Sequence, residues 1–246
     1  MTSIPPIELE FSRKYAQQHA QHYHRKRGES LWRRLSNWRE MQLARRSLRN
    51  AGEPGLVLDL PCGDGRFWPL LAEKDNRAIL AADNSRPMIE TARNSQSPDV
   101  SARVNCFQTS LFAIDLDANA VDCILCLRLL HHIEDSAQRL TLLRELHRVT
   151  RDTVIVSLWV DGNFRAWQRR RLDKINSAEE NSAEKENCFV VPKAVIEQEF
   201  AKAGFEIVAH RDVLPGIAMR RFYTLRKRAE PRTDAVQLMP GLFGRW

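Results

Sequence analysis

The sequence has 246 residues and an apolar content of 43%, which is enough for one complete α/β domain with additions. The five cysteines form no disulfide framework, and no apolar run approaches the roughly 20 residues that span a bilayer. The first thirty residues also lack the apolar core of a signal peptide, so we expect a cytoplasmic protein. The formal net charge of +7 is uneven, because residues 1–50 carry +7, residues 219–246 carry +5, and the middle is acidic.

Residues 1–51 are predicted to form a basic helical cap on the domain that follows. Two helices are expected, at 11–26 and 30–50, separated by Gly28 and ended before Gly52. An apolar stripe on the second helix is expected to pack on the core, and it comprises Leu31, Leu35, Trp38, Met41 and Leu48. Two other interpretations of this segment stay open, an interfacial helix on anionic lipid and a surface for the RNA backbone.

A glycine-rich turn follows the first apolar run, in the stretch VLDLPCGDGRF at 57–67. A strand that ends in such a turn and leads into a helix is how a parallel sheet presents a nucleotide-like ligand. A dinucleotide site needs a third glycine, and Trp68 stands in its place. Asp59 precedes the turn and would repel a phosphate, so the turn favours a cationic ligand without phosphates.

Four further apolar runs of strand length follow at 78–82, 104–108, 121–127 and 153–160, separated by helical patterns. Nearly continuous apolar strands of this kind are typical of a parallel sheet covered on both faces. The run at 78–82 ends at Asp83, about twenty residues after the glycines, the spacing at which an acid meets ribose hydroxyls. Cys123 and Cys126 fall inside a predicted buried strand, so we interpret them as core residues rather than a metal or redox pair.

Residues 59–67 resemble motif I, D-x-G-x-G-x-G, of the class I methyltransferases that depend on S-adenosylmethionine (SAM), with Pro61 and Arg66 in place of two glycines. The segment 83–92 is similar to the one that follows the family's second strand. Ser110 stands where the family often has an acid for the adenine amino group. Residues 128–135 resemble the family's motif after strand four, which ends in a His-His pair.

The resemblance implies a Rossmann-like, doubly wound α/β fold. Its seven-stranded sheet would be mostly parallel, with an antiparallel C-terminal hairpin at 205–209 and 222–225, plus N-terminal helices. The methyltransferase domain would span 52–228, with SAM as its cofactor. The residues that the resemblance assigns to the cofactor are Asp59, Pro61, Cys62, Gly63, Gly65, Asp83, Asn84, Met88, Ser110, Leu111 and Leu127.

In this family the loop after strand four usually faces the methyl group. The candidates for catalysis are therefore Arg128, His131 and His132, with a base needed only if the acceptor is a weak acid. A structural role for the two histidines is the alternative, and no metal site is predicted.

Residues 161–191 are predicted to form an acceptor-side segment, and residues 229–246 a C-terminal tail. The run Arg169-Arg170-Arg171 suits an anionic acceptor, although a surface helix with nearby acids explains it equally well. Residues 177–187 are polar and highly charged, so we expect a mobile loop there.

The sequence thus predicts transfer of a methyl group to an O or N atom of a small or lipid- or saccharide-linked, anionic acceptor. An RNA methyltransferase is the alternative, favoured by the basic ends, and peripheral contact with a membrane is compatible with them. A SAM-binding scaffold without catalysis is the third hypothesis, since Pro61, Arg66 and Ser110 depart from the family's pattern. Fold by itself does not decide between these activities.

Overall fold

A computed structural model describes the backbone at residues 31–176 and 188–228, and the side chains at 34–171 and 188–228. The helix predicted at 11–26, the loop at 177–187 and the tail at 229–246 lie outside the described residues.

The strands of the described chain are β1 (Leu56–Asp59), β2 (Ala78–Asp83), β3 (Val104–Gln108), β4 (Val121–Cys126), β5 (Thr150–Val160), β6 (Val190–Val191), β7 (Phe205–Asp212) and β8 (Arg220–Lys227). They form one sheet in the order β3-β2-β1-β4-β5-β8-β7, and β6 pairs with β5 beside this path. Strands β1 to β6 pair in parallel, whereas β8 is antiparallel to both β5 and β7. The predicted parallel sheet and C-terminal hairpin are confirmed, and the two-residue β6 is an addition.

The helices are α1 (Leu31–Asn50), α2 (Trp68–Leu71), α3 (Arg86–Ser95), α4 (Pro98–Ser101), α5 (Ser136–Val149), α6 (Phe164–Asn176) and α7 (Lys193–Lys202), with a 3₁₀ turn at Leu130–His132. The carboxylate of Asp135 caps α5 by accepting from the backbone N–H groups of Ala137 and Gln138. None of the described helices is both long and apolar enough to cross a membrane.

Helices cover the sheet on both faces, as the continuous apolar strands predicted. One apolar cluster packs α5 and α7 on the sheet through residues such as Leu142 and Phe200. A second cluster packs α1, α2 and α3 on the opposite face, through Leu43, Trp68 and Ile89. Strand β1 therefore lies at the centre of a closed core, between β2 and β4, where the strand order reverses direction.

Helix α1 packs on the sheet by a different face from the predicted stripe. Leu48 is buried, but Leu35 and Trp38 are 47% and 56% exposed, so the stripe prediction is wrong for these two residues. The buried face instead includes Leu43 and a carboxylate, Glu40, which is 1% exposed. The pattern of apolar residues missed this face because it contains a charge that distant arginines neutralise.

Candidate functional site

The turn after β1 is shaped by two glycines with left-handed backbone. Gly65 has φ +72°, and a Cβ there would lie 2.9 Å from the indole ring of Trp68, so only glycine fits. Gly63 has φ +53°, and a Cβ there would meet no heavy atom within 4 Å. Gly65 thus allows close packing inside the protein, while the space beside Gly63 is open to a ligand.

The carboxylate of Asp83 holds this turn against the end of β2. Its Oδ2 accepts from the backbone N–H of Gly63 at 3.1 Å, and its Oδ1 accepts from that of Ser85 at 3.0 Å. Burial raises the pKa of Asp83, and these backbone donors oppose the rise. The backbone N–H of Asn84 also acts on this carboxylate, and a carboxylate has about four acceptor sites, so capacity remains for a hydroxyl group.

Asp59 brings a second buried carboxyl group to the same place. It is 1% exposed, and its Oδ2 has no hydrogen-bond partner among the described residues. Burial raises the pKa of Asp59 well above its usual range. A buried acceptor without a donor is costly, so a ligand that brings a positive N–H group to Asp59 would be stabilised.

The other cofactor candidates lie where neighbouring strands end. Because β3, β2, β1 and β4 are adjacent and parallel, the segments that follow them meet at one edge of the sheet, which we call the carboxyl edge. Ser110 Oγ accepts from the backbone N–H of Phe112 at 3.1 Å, so this hydroxyl also stabilises a turn. The remaining candidates are buried (Cys62, Leu111, Leu127) or half-buried (Pro61, Asn84, Met88).

The loop after β4 carries the three candidates for catalysis. Arg128 has φ +62°, a strained conformation for arginine, and its backbone N–H donates to Ser157 Oγ at 2.9 Å. His131 is 2% exposed and stacks on Trp159 with 5.1 Å between ring centroids. Burial lowers the pKa of His131 well below its usual range, and His132, Arg220 and Arg128 lower it further. The His131 ring is therefore neutral at pH 7.

Three arginines from distant parts of the chain converge beside this loop, and we call Arg66, Arg128 and Arg220 the arginine cluster. Glu40 of α1 forms ion pairs with Arg220 and, at 3.2 Å, with Arg66. Burial lowers the pKa of Arg66 and of Arg220, and the positive charge of Arg128 lowers both further. The Nε of Arg220 is buried without a hydrogen-bond partner among the described residues.

Sequence reasoning missed the arginine cluster, because its members are spread from residue 66 to residue 220 and interact with residue 40. One signal could have found part of it. Glu40 is the one acid in the helical segment 31–50, among many basic residues. An isolated acid on a helix that packs on the core indicates a buried ion pair.

The three arginines of α6 do not act together in this structure. Arg169 donates to the carbonyl of Cys188 at 3.1 Å and lies over the ring of Trp159. Arg170 pairs with Asp161, and Arg171 lies over the ring of Trp167. Only Arg169 lies beside a residue that contacts His131, so the run is not a single anion clamp.

Comparison with known proteins identifies the domain. The family model described as "Methyltransferase domain" matches residues 57–153, which run from the second residue of β1 into β5 and include the turns at the carboxyl ends of β1 to β4. Residues 57–153 thus carry a methyltransferase domain, and the fold around them is the Rossmann-like fold of SAM-dependent methyltransferases. SAM is therefore the cofactor of this methyltransferase, and two features fit it: the open space at Gly63, and the Oδ2 of Asp59, which has no hydrogen-bond partner among the described residues.

Solved structures share the fold of the methyltransferase at low sequence identity. Magnesium protoporphyrin IX methyltransferase (ChlM) from Synechocystis PCC 6803, crystallised with bound SAH, is 16% identical. This match has a TM-score of 0.67 and covers 87% of this chain and 94% of that one. A putative O-methyltransferase from Nostoc punctiforme PCC 73102 is 24% identical, with a TM-score of 0.57, and 76% of this chain and 56% of that one are covered.

The methyltransferase domain of bacterial CtHen1-C is 18% identical with a TM-score of 0.58, and the match covers 79% of this chain and all of that one. No curated protein sequence matches the methyltransferase.

Proposed function

We propose that the methyltransferase transfers the methyl group of SAM to an O or N atom of a small or lipid-linked acceptor that carries a negative charge. The observation that supports this proposal is the arginine cluster, in which Arg66 and Arg220 share one carboxylate, Glu40, and the charge of Arg128 acts on both of them. Two positive charges remain uncompensated by Glu40. An anionic group of the acceptor would offset them through charge-assisted hydrogen bonds.

The burial of the cluster strengthens the argument. Arg220 exposes 17% of its side chain and Arg66 19%, and burial lowers the pKa of both. Desolvated guanidinium groups are expensive unless each N–H finds an acceptor, and Arg220 Nε has none among the described residues. A carboxylate or phosphate bound at Arg220 would supply the missing acceptor.

The position of the cluster relates it to the reaction. Arg128 follows β4 at the carboxyl edge, where β1 and β2 carry the cofactor candidates. An acceptor held by Arg128 and Arg220 would therefore lie beside the cofactor. Holding nucleophile, methyl carbon and sulfur in line contributes roughly 7–11 kcal/mol to such reactions.

His131 sets a limit on the proton chemistry. Its neutral ring can accept a proton, but its depressed pKa makes it a weak base. A carboxylate or phosphate oxygen needs no base at pH 7, because it is already ionised. We infer that binding and orientation by Arg128 and Arg220 carry more of the catalysis than His131 or His132.

The fold is compatible with a small acceptor. The match to magnesium protoporphyrin IX methyltransferase, whose name refers to a small-molecule substrate, covers 94% of that chain. No disulfide joins the cysteines of the described residues, which fits a reducing compartment, so we propose that the methyltransferase is cytoplasmic.

The test is methyl transfer from labelled SAM to fractionated cell extract. The acceptor pools are small molecules retained by an anion exchanger, unretained small molecules, organic-soluble lipids, and RNA. We expect label in the retained or lipid pool, and none with Gly63→Arg, which fills the open space beside the turn. Label confined to the unretained pool or to RNA would overturn the anionic small-acceptor proposal, and RNA would establish the alternative.

A further inference from the structure

Two histidines and a cysteine meet beside the loop after β4, and we call His131, His132 and Cys188 the His–Cys cluster. One ring nitrogen of each histidine and the Sγ of Cys188 all lie within 4.8 Å of one another. His132 Nδ1 and Cys188 Sγ are 3.6 Å apart. Cys188 follows the pair by 56 residues, so the sequence shows no metal-binding motif here.

The separation of two of these atoms matches what one metal ion requires. Zinc binds nitrogen at about 2.0–2.1 Å and sulfur at about 2.3 Å, and a tetrahedral angle then places the two ligand atoms about 3.6 Å apart. His132 and Cys188 already have this spacing. A thiol–imidazole hydrogen bond has a similar length, so the third residue decides between the two interpretations.

His131 is that third residue. Its ring centroid is 4.3 Å from that of His132, and its side chain is almost fully buried. The Nδ1 of His131 has no hydrogen-bond partner among the described residues, although a buried imidazole nitrogen normally has one. A neutral, buried imidazole with a free nitrogen is a good metal ligand.

The surroundings hold the cluster in place. His131 stacks on Trp159, which fixes the plane of its ring. The backbone N–H of Phe189 donates to the carbonyl of His131 at 2.7 Å, and Arg169 donates to the carbonyl of Cys188 at 3.1 Å. The peptide group between Cys188 and Phe189 is thereby held at both its N–H and its C=O, and the bond of Phe189 joins this segment to His131.

Charge selects the kind of ion. Arg128 and Arg220 act on His131, and they would repel a dication. The thiolate of Cys188 offsets part of that repulsion, and it favours soft cations over Mg²⁺ and Ca²⁺, which prefer oxygen ligands. Binding would release the thiol proton to solvent.

We propose that the His–Cys cluster binds one thiolate-preferring divalent cation such as Zn²⁺, with three protein ligands and a fourth position open. The ion would join the loop after β4 to the segment that enters β6. The proposal does not depend on the identity of the methyl acceptor, because it rests on the three side chains alone.

Titration of the full-length, metal-stripped protein with Zn²⁺ against a chromophoric chelator tests the proposal. We expect one ion per chain whose affinity falls at least about tenfold in Cys188→Ser and in His132→Gln. Cys106→Ser is the matched control, since Cys106 is also part-exposed but lies on β3, and it should bind as the wild type does. Co²⁺ should show a sulfur charge-transfer absorption that Cys188→Ser loses.

Zn²⁺ binding that is absent, or that is equal in wild type, Cys188→Ser and His132→Gln, would overturn the proposal. Equal binding would place the ion elsewhere in the chain. Retained affinity of Cys188→Ser for S-adenosylhomocysteine would show that this variant is folded, so that a loss of metal binding reports on the ligand itself.

Discussion

The cofactor side and the acceptor side of this methyltransferase are built in different ways. The cofactor side uses short-range features, a glycine turn, an acid at the end of β2 and backbone N–H groups, all between residues 57 and 111. The acceptor side uses side chains from α1, the turn after β1, the loop after β4, and β8. The cofactor side depends on backbone conformation and the acceptor side on long-range ion pairs. Mutations on the cofactor side should therefore lower SAH affinity, whereas mutations on the acceptor side should raise the KM for the acceptor.

The largest effect is expected for Gly65→Val, on the cofactor side. The new side chain would face both the unfavourable φ of +72° and the Trp68 ring 2.9 Å away. We expect the free energy of unfolding to fall by roughly 2–4 kcal/mol and most of the affinity for SAH to be lost. Denaturant unfolding and calorimetry check this. Gly216→Val is the control, because φ is +70° there but the space is open; an equal loss in it would show that strain rather than the clash dominates.

Asp83→Ala should weaken SAH binding by roughly 1.5–3 kcal/mol, because the variant loses the bond to Gly63 and both acceptor oxygens. Asp122→Ala is a matched control, since Asp122 accepts from the backbone N–H of Leu56 at the opposite end of β1. Calorimetric titration should show normal SAH affinity in the control. Unchanged affinity in Asp83→Ala would remove Asp83 from the cofactor site.

Arg220→Met tests the acceptor side. We expect the KM for the acceptor to rise about tenfold or more while SAH affinity stays within a factor of about two, because one charge-assisted bond is lost. Arg226→Met is the control from the same strand, since Arg226 pairs with Asp152 away from the cluster. If SAH affinity falls in Arg220→Met while the KM for the acceptor rises, the arginine cluster supports the cofactor rather than the acceptor.

The smallest effect concerns pH. The pKa of His131 is lower in the folded protein than in the unfolded chain, so the unfolded state binds more protons below about pH 6.5. The contribution of His131 to the free energy of unfolding is therefore fully present above that pH. It declines as the pH falls toward the pKa that His131 has in the folded protein. In chelator-containing buffer, His131→Phe should reduce this decline, which is at most about 1.4 kcal/mol per pH unit. Free energies of unfolding that decline equally in both proteins between pH 7.5 and 5 would contradict the lowered pKa of His131.

Most of the sheet could be predicted, because each parallel strand appears as a nearly continuous apolar run. Cys123 and Cys126 illustrate this, since both are fully buried in β4 and burial raises the pKa of each thiol to about 12. Helix α1 was predicted with the right C-terminal end but the wrong face. Its buried carboxylate, Glu40, is compensated by Arg220, 180 residues away, and no local pattern reports such a partner.

The acceptor-side arginines show the same limit. The run at 169–171 stands out in the sequence, yet its members face three different partners. The arginine cluster has no sequence pattern. Arg66 and Arg220 nevertheless pair with the same carboxylate, and the positive charge of Arg128 acts on Arg66.

The amino-acid sequence by itself therefore determined the strands of the cofactor half, the glycine turn and the methyltransferase domain, because backbone conformation and apolar burial are encoded locally. Only the tertiary structure decided which charges meet at Glu40 and which side chains surround Cys188. Ion pairs and metal-ligand geometry depend on distances between residues far apart in the chain, and those distances exist only after the sheet has assembled.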